Sequence, residues 1–201
     1  QILMLTVKWE YISGLSDEDI DRWRNTAPRD RISAVERKRN EADRLRSILG
    51  DVLVVRTLND ITCRTDIVLK HDASGRPYVD SLPLFISVSH SGSIAVCAVS
   101  DRPVGIDVEQ IKKRSFKLTD RIFSEDEIAY ISGSAKRFFE VWTAKEAYAK
   151  MTGEGIRAVL RGIYTDIKSG NVMGEALSVT EYNGYICSVV TKKDQDMGVI
   201  F

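Results

Sequence analysis

Long apolar runs are missing from this chain. No uninterrupted stretch approaches the roughly 20 residues needed to span a bilayer, and the N-terminus has no basic segment followed by an apolar run and a cleavage site. These absences predict a cytoplasmic protein without membrane contact. An excess of one charge is missing as well. The 29 basic residues match 29 acidic ones, so nothing favours nucleic acid, which asks for a surplus of Lys and Arg. Cysteine is scarce: Cys63, Cys97 and Cys187 are odd in number, far apart and form no C-x-x-C pair. They read as reduced, small hydrophobic side chains, with no disulfide framework or structural zinc site. Histidine is limited to His71 and His90, too few for zinc chemistry with no cysteine near the acids. No low-complexity linker divides the chain, so its halves are expected to share an interface. Opening on Gln1 instead of Met, the chain is expected to lack some N-terminal residues.

What is present is ordinary globular composition. With 201 residues, 43% hydrophobic and 29% charged, the chain can bury a core, as one large domain or as two small ones. Residues 2–9 are rich in strand formers. Ser16 before Asp17-Glu-Asp-Ile-Asp-Arg-Trp23 predicts a helix N-cap with acidic residues in the first turn. From Ser33 to about Leu58 apolar residues recur at spacings of three and four, which predicts one long amphipathic helix. Its other face carries Arg37, Lys38, Arg39, Arg44 and Arg46, a solvated face or an anion site. Ser74-Gly-Arg-Pro-Tyr-Val79 predicts a turn into an extended stretch. Residues 85–100, FISVSHSGSIAVCAVS, alternate around Ser91-Gly92-Ser93 and predict a β-hairpin. A strand over 104–109 follows, then helices at about 117–131 and 136–151, then strands at 162–167, 175–182 and 185–191. Gly184 with the strand after it repeats the pattern of Gly92 about 92 positions later, a hint of two similar halves.

Asp107 and Glu109 lie two apart on the predicted strand, so both carboxylates point to one face. Glu146 and Lys150 sit at i and i+4 on a predicted helix and share a face as well. Each pair alone has a bland reading, a solvated strand face and a helix-surface ion pair. Ser89-His90-Ser91-Gly92 alone reads as turn chemistry. Converging carboxylates call for a cation, and a few hard oxygen ligands that leave room for water and phosphate suit Mg²⁺.

The combination is far more specific. Val104-Gly-Ile-Asp-Val-Glu109, followed after 146 − 107 = 39 positions by the glutamate of Trp142-Thr-Ala-Lys-Glu-Ala-Tyr-Ala-Lys150, resembles the two-part signature of the 4′-phosphopantetheinyl transferase superfamily. Gly75-Arg-Pro77, Ile86-Ser-Val-Ser-His-Ser-Gly92 and the helix ending Leu49-Gly-Asp-Val-Leu-Val54 are similar to its other motifs, in the same order over roughly residues 28–155. Because the Gly-Ile-Asp motif lies in mid-chain, the resemblance is to the surfactin-synthetase-activating (Sfp) type. It implies an α+β fold of two pseudo-symmetric halves, each a small antiparallel sheet packed with helices, fused in one monomer. The halves are expected at 1–103, for coenzyme A nucleotide binding, and 104–201, for the metal and catalytic helix, with the active site at their interface.

The resemblance further implies Mg²⁺ held by Asp107, Glu109 and Glu146, and catalysis by Glu146 and Lys150. Lys150 and Ser89 would hold the coenzyme A diphosphate, and His90 would pair with a phosphate of the same ligand. Gly75 and Arg76 match positions against the adenine, and Arg31, Arg46 and the backbone of Ser47 match a 3′-phosphate pocket. A second basic position three residues after Arg31 is Ala34 here, with Arg37 a candidate substitute. The partner implied is an apo acyl or peptidyl carrier protein. Its docking surface is expected over residues 111–125, where Lys112, Lys113, Arg114 and Lys117 are interleaved with Phe116 and Phe123. An alternative places both phenylalanines in the core. A metal-dependent phosphohydrolase and a non-catalytic coenzyme A or carrier-protein binding module are the competing readings.

Overall fold

Residues 5–112, 122–155 and 162–193 are described by a computed structural model. The chain divides into two units, the first ending at Asp101 and the second beginning at Arg102. In the first, β1 (Leu5–Tyr11) and a 3-10 turn (Ile12–Gly14) precede the helices α1 (Asp17–Thr26), α2 (Arg29–Glu36) and α3 (Glu41–Thr62). The strands β2 (Lys70–His71), β3 (Pro77–Tyr78), β4 (Phe85–Ser91) and β5 (Ile94–Ser100) follow. The alternating hairpin forms as expected, Gly92 turning with a φ of 57° that favours glycine. Its second strand also pairs with β1, so the sheet order is β1-β5-β4, antiparallel throughout. Every residue of β5 is buried, and α3 covers one face of the sheet through Leu49, Leu53 and Val54.

The second unit repeats this plan. It comprises β6 (Val104–Gln110), α4 (Glu125–Ile131), α5 (Ala135–Thr152), β7 (Thr165–Asp166), β8 (Asn171–Val172), β9 (Glu175–Tyr182) and β10 (Tyr185–Thr191), with sheet order β6-β10-β9-β8-β7. The opening strand again pairs with the second strand of a later hairpin. Asn183 and Gly184, at φ 48° and 78°, make the two-residue turn that matches strand twist. The fold is therefore α+β, two sheet-and-helix halves of similar topology, as the resemblance implied. Among the described residues no helix is long and apolar enough to cross a membrane.

Several local expectations need correction. The single helix from Ser33 is two helices, α2 and α3. Asn40 stops it: its side chain accepts a hydrogen bond from Ala42 N at 2.8 Å, capping a new helix whose first turn carries Glu41 and Asp43. Arg44 donates to the Lys38 carbonyl at 2.9 Å and holds the break. The strand expected over 162–167 shrinks to Thr165–Asp166. Phe123 is buried among Ile131 and Val141 and so is no surface anchor. Lys113, Arg114, Phe116 and Lys117 lie outside the described residues, and Lys112 is exposed. Ser16 does cap α1, in a reciprocal capping box with Asp19.

A buried polar knot ties the helices of the first unit together. Asp51 on α3 accepts from Arg31 Nε at 2.8 Å and Nη2 at 2.9 Å, and from Trp23 Nε1 at 2.9 Å. His71 Nε2 lies 3.2 Å from Asp51 Oδ1, in ion-pair range but too poorly aligned for a hydrogen bond. Burial alone would raise the Asp51 carboxyl; the pull of His71 and Arg31 outweighs it and holds the group below its ordinary value. The stability this contributes is present above about pH 4, the unfolded carboxyl range, and is lost as pH falls through the lowered folded value. Asp51→Asn is expected to cost about 3 kcal/mol at neutral pH, by leaving Arg31 without its counter-charge. Thermal melts from pH 7 to 2 should also show a shallower acid loss for the variant. An unchanged acid profile would remove Asp51 from this role.

Candidate active site

Residues Gly105, Asp107 and Glu109 lie on one face of β6, opposite Val190, Ser188 and Ile186 of β10, because side chains alternate along a strand. Helix α5 packs on that face. Thr143 Oγ1 meets Ser188 Oγ at 2.7 Å, and a Cβ on Gly105 would stand 1.8 Å from the Ala147 carbonyl oxygen and 2.7 Å from Met151 N. Helix backbone rests directly on strand backbone, which only glycine permits. One turn along, Lys150 Nζ donates to Asp107 Oδ1 at 2.7 Å and to the Ile106 carbonyl at 3.1 Å. Glu146, four residues earlier on α5, is half-buried. Burial raises its carboxyl, Asp107 and Glu109 raise it further, and Lys150 opposes them. The four residues picked from the two spacings thus converge at one place in the second unit, with Lys150 reaching across to the strand.

Among the described residues no three acidic, histidine or cysteine side chains form a ready-made metal cage. The donor set still fits Mg²⁺, which binds through one or two carboxylates and completes its octahedron with water and phosphate oxygens. Asp107, Glu109 and Glu146 would supply oxygen ligands only, and their mutual repulsion, felt at Glu146, is of the kind a divalent cation relieves.

On the far side of α5, Lys145 is wholly buried. Its Nζ pairs with Glu127 Oε2 at 2.8 Å, donates to the Ile163 carbonyl and lies 5.7 Å from the centre of the Phe123 ring. Glu127 Oε2 also accepts from Ser124 N at 2.9 Å, and its Oε1 accepts from Thr165 N and Oγ1, both at 2.8 Å. Burial lowers the Lys145 ammonium despite its partner.

In the first unit, Arg46 Nη1 donates to the Gly92 carbonyl at 2.8 Å and Nη2 pairs with Asp43. Ser47 Oγ donates to the Asp43 carbonyl at 2.9 Å. The Arg46 bond holds the Asp43 carboxyl low, and the nearby His90 adds to this. Arg46, Ser47 and His90 are therefore neighbours, on the α3 face of the hairpin. Ser89 is buried and on the opposite face of β4, so the structure separates it from His90. Arg31 belongs to the Asp51 knot, its side chain only 18% exposed; Arg37, the candidate substitute, is exposed at the end of α2. Gly75 and Arg76 sit on a turn organised by Asp72, which accepts from Ser74 N, Ser74 Oγ and Arg76 N at 2.8, 2.6 and 3.0 Å. Gly75 turns there with φ 84° and open space around it.

Three contributors escaped the sequence reading. Gly105 carried a signal, a glycine inside a strand pattern, which marks close backbone approach. Lys145 stood inside the quoted motif with no reason to single it out, and Glu127 carried none at all.

Comparisons with known proteins match the stretch that carries these residues. A family model described as the 4′-phosphopantetheinyl transferase superfamily matches residues 103–196, the stretch that holds Asp107, Glu109, Glu146 and Lys150. The chain is 30% identical to the 4′-phosphopantetheinyl transferase gsp of Aneurinibacillus migulanus, over 74% of this chain and 69% of that protein. It is 39% identical to psf-1 of Bacillus pumilus over 62% of this chain and 57% of that protein. Against Sfp of Bacillus subtilis it is 29% identical over 71% and 67%. With both motifs converging on one helix and strand, and with identity of this extent, the chain belongs to the 4′-phosphopantetheinyl transferase superfamily, of the Sfp type.

Proposed function

We propose that this chain moves the 4′-phosphopantetheine arm of coenzyme A onto a serine hydroxyl of an apo acyl or peptidyl carrier protein, as a magnesium-dependent cytoplasmic monomer. The observation that carries the reading is the meeting of Lys150 with Asp107, beside the carboxylate of Glu146. Mg²⁺, held by Asp107, Glu109 and Glu146, would supply positive charge to the diphosphate oxygens. Lys150 turns from Asp107 to a diphosphate oxygen and stabilises the charge that develops there. Glu146 takes the serine proton, directly or through a water, as the serine oxygen bonds to the β-phosphorus. The bond from that phosphorus to the bridging oxygen breaks and releases adenosine 3′,5′-bisphosphate. Arg46, Ser47 and His90 receive the 3′-phosphate, with Arg31, which also holds Asp51, at the same pocket; Gly75 and Arg76 lie against the adenine, and Ser89 takes the diphosphate. Positioning and electrostatics account for most of the acceleration in such transfers. Membership of the family and the absence of a membrane-crossing helix among the described residues support the cellular setting. The two fused halves support the monomer.

The test is to mix the protein with coenzyme A, Mg²⁺ and a panel of apo carriers, then weigh the products. A carrier that gains phosphopantetheine is the expected result. Adenosine bisphosphate released without any carrier would make the protein a phosphohydrolase, and ligand binding without turnover would make it a binding module. The neighbourhood of His90 and Arg46 adds a sharper expectation. His90→Ala should raise the KM for coenzyme A and affect 3′-dephospho-coenzyme A much less. Equal losses on both substrates would move His90 to the diphosphate.

A further inference from the structure

We propose that the buried Lys145–Glu127 pair is a positioning device that sets the rotation of α5 and so aims Glu146 at Asp107 and Glu109; this rests on the catalytic reading above. The contact of α5 with the sheet is mostly smooth. Ala144 and Ala147 are buried in it, and backbone touches backbone at Gly105. Small apolar groups resist separation strongly but resist rotation and sliding weakly, because dispersion has no direction. Directional contacts must therefore fix the helix. On the sheet side these include Thr143 with Ser188 and Lys150 with Asp107, and, near the start of α5, the exposed pair of Lys136 with Glu181. The second of them is given up in the reaction, when Lys150 turns to the diphosphate.

Lys145 lies about 200° around the helix from Thr143, at roughly 100° per residue, so it grips from the opposite side. The pair is shielded from water, its side chains 1% and 2% exposed. It reaches three separate segments: Glu127 on α4, Thr165 of β7 through that carboxylate, and the Ile163 carbonyl. Lys145 immediately precedes Glu146, so a turn of the helix that loosens this grip moves the Glu146 carboxylate with it. A buried ion pair adds little net stability over well-packed apolar groups; fixing one arrangement among several is its better-attested use. Wholly buried, Lys145 is out of reach of a substrate and acts through its neighbour.

The test compares the parental protein with Lys145→Met and with the pair K145M/E127Q. The single change leaves Glu127 buried without a counter-charge and threatens folding. The pair removes both charges, keeps an acceptor for the Thr165 donors, and fills the lysine's space with an unbranched apolar chain. In a folded pair we expect kcat about 10- to 100-fold lower, the scale of a small misplacement, with the KM for coenzyme A within about threefold of parental. Mn²⁺ affinity, read by electron paramagnetic resonance without substrates, should weaken in parallel. If the pair does not fold, Glu127→Gln alone gives the same readouts with the same direction expected. A folded variant with parental kcat and parental Mn²⁺ affinity would overturn the positioning role and leave the transfer reading standing. A parental protein that modifies no carrier, yet loses Mn²⁺ affinity in the pair, would do the reverse.

Discussion

Replacing Glu146 by glutamine should lower kcat by about 10²-fold or more, the scale associated with loss of a general base. The substitution keeps the shape and one acceptor oxygen. It removes the only carboxylate that α5 brings to Asp107 and Glu109. Burial and those two acids raise the Glu146 carboxyl in the metal-free protein, which makes it a better proton acceptor once ionised. The same shift has a pH consequence with a definite sign. Mg²⁺ needs the ionised carboxylate, so its affinity should fall as pH drops through the raised Glu146 value, and binding should release a proton. The variant separates two roles. If Glu146 is both ligand and base, saturating Mg²⁺ restores little of the rate; if it is a ligand alone, saturating Mg²⁺ restores most of it. Coenzyme A binding without metal should survive, since Arg46, Ser47 and His90, proposed above for the 3′-phosphate, are untouched. Wild-type turnover by the variant in limiting Mg²⁺ would remove Glu146 from the chemistry altogether.

Adding one methyl group at Gly105 should be nearly as damaging, although Gly105 contributes no chemistry. The new carbon would stand 1.8 Å from the Ala147 carbonyl oxygen and 2.7 Å from Met151 N, two backbone atoms of a continuous helix that cannot swing aside as a side chain would. The helix must lift off the strand or the strand must bow. Overpacking of this kind costs about 1–3 kcal/mol, so Gly105→Ala should melt several degrees lower, at about 2–4 °C per kcal/mol for a chain of this size. The larger effect is on rate. Asp107 travels with the strand, while Glu146 and Lys150 travel with the helix, so kcat/KM should fall by about 10²-fold or more for a displacement near 1 Å. Metal-free coenzyme A binding should stay within a few-fold of parental, because the residues proposed to hold the nucleotide belong to the first unit. A Gly105→Ala protein with parental melting temperature and parental kcat would show that α5 does not depend on this contact.

The site was legible where its geometry is local. Asp107 and Glu109 share a face because a strand alternates, and Glu146 and Lys150 do so because a helix turns in 3.6 residues. Both conclusions need only a few consecutive residues. The hairpin around Gly92 and its echo at Gly184 were readable for the same reason. The partner of Lys150 was not. It stands 43 residues away, and only packing of α5 on β6 brings the two together. The break at Asn40 was missed because the apolar spacing continues through it, while the stop comes from a side-chain cap of modest energy that periodicity does not register. Arg46 illustrates a different gap. Counted with the basic face of one helix, it turned out to be bound to the Gly92 carbonyl and to Asp43, with its side chain only 18% exposed.

Sequence by itself determined which family this chain joins and which elements carry its acids, because motif order and helix and strand periods are properties of neighbouring residues. Tertiary structure decided what those acids lean on: Lys150 against Asp107, α5 against the bare backbone of Gly105, Lys145 in a buried grip on Glu127, and Arg31 drawn into the knot around Asp51. Each of these contacts joins segments at least 18 residues apart, counting from the nearest pair, Lys145 and Glu127. Their energies depend on burial and alignment, which the chain acquires only when its layers close on one another.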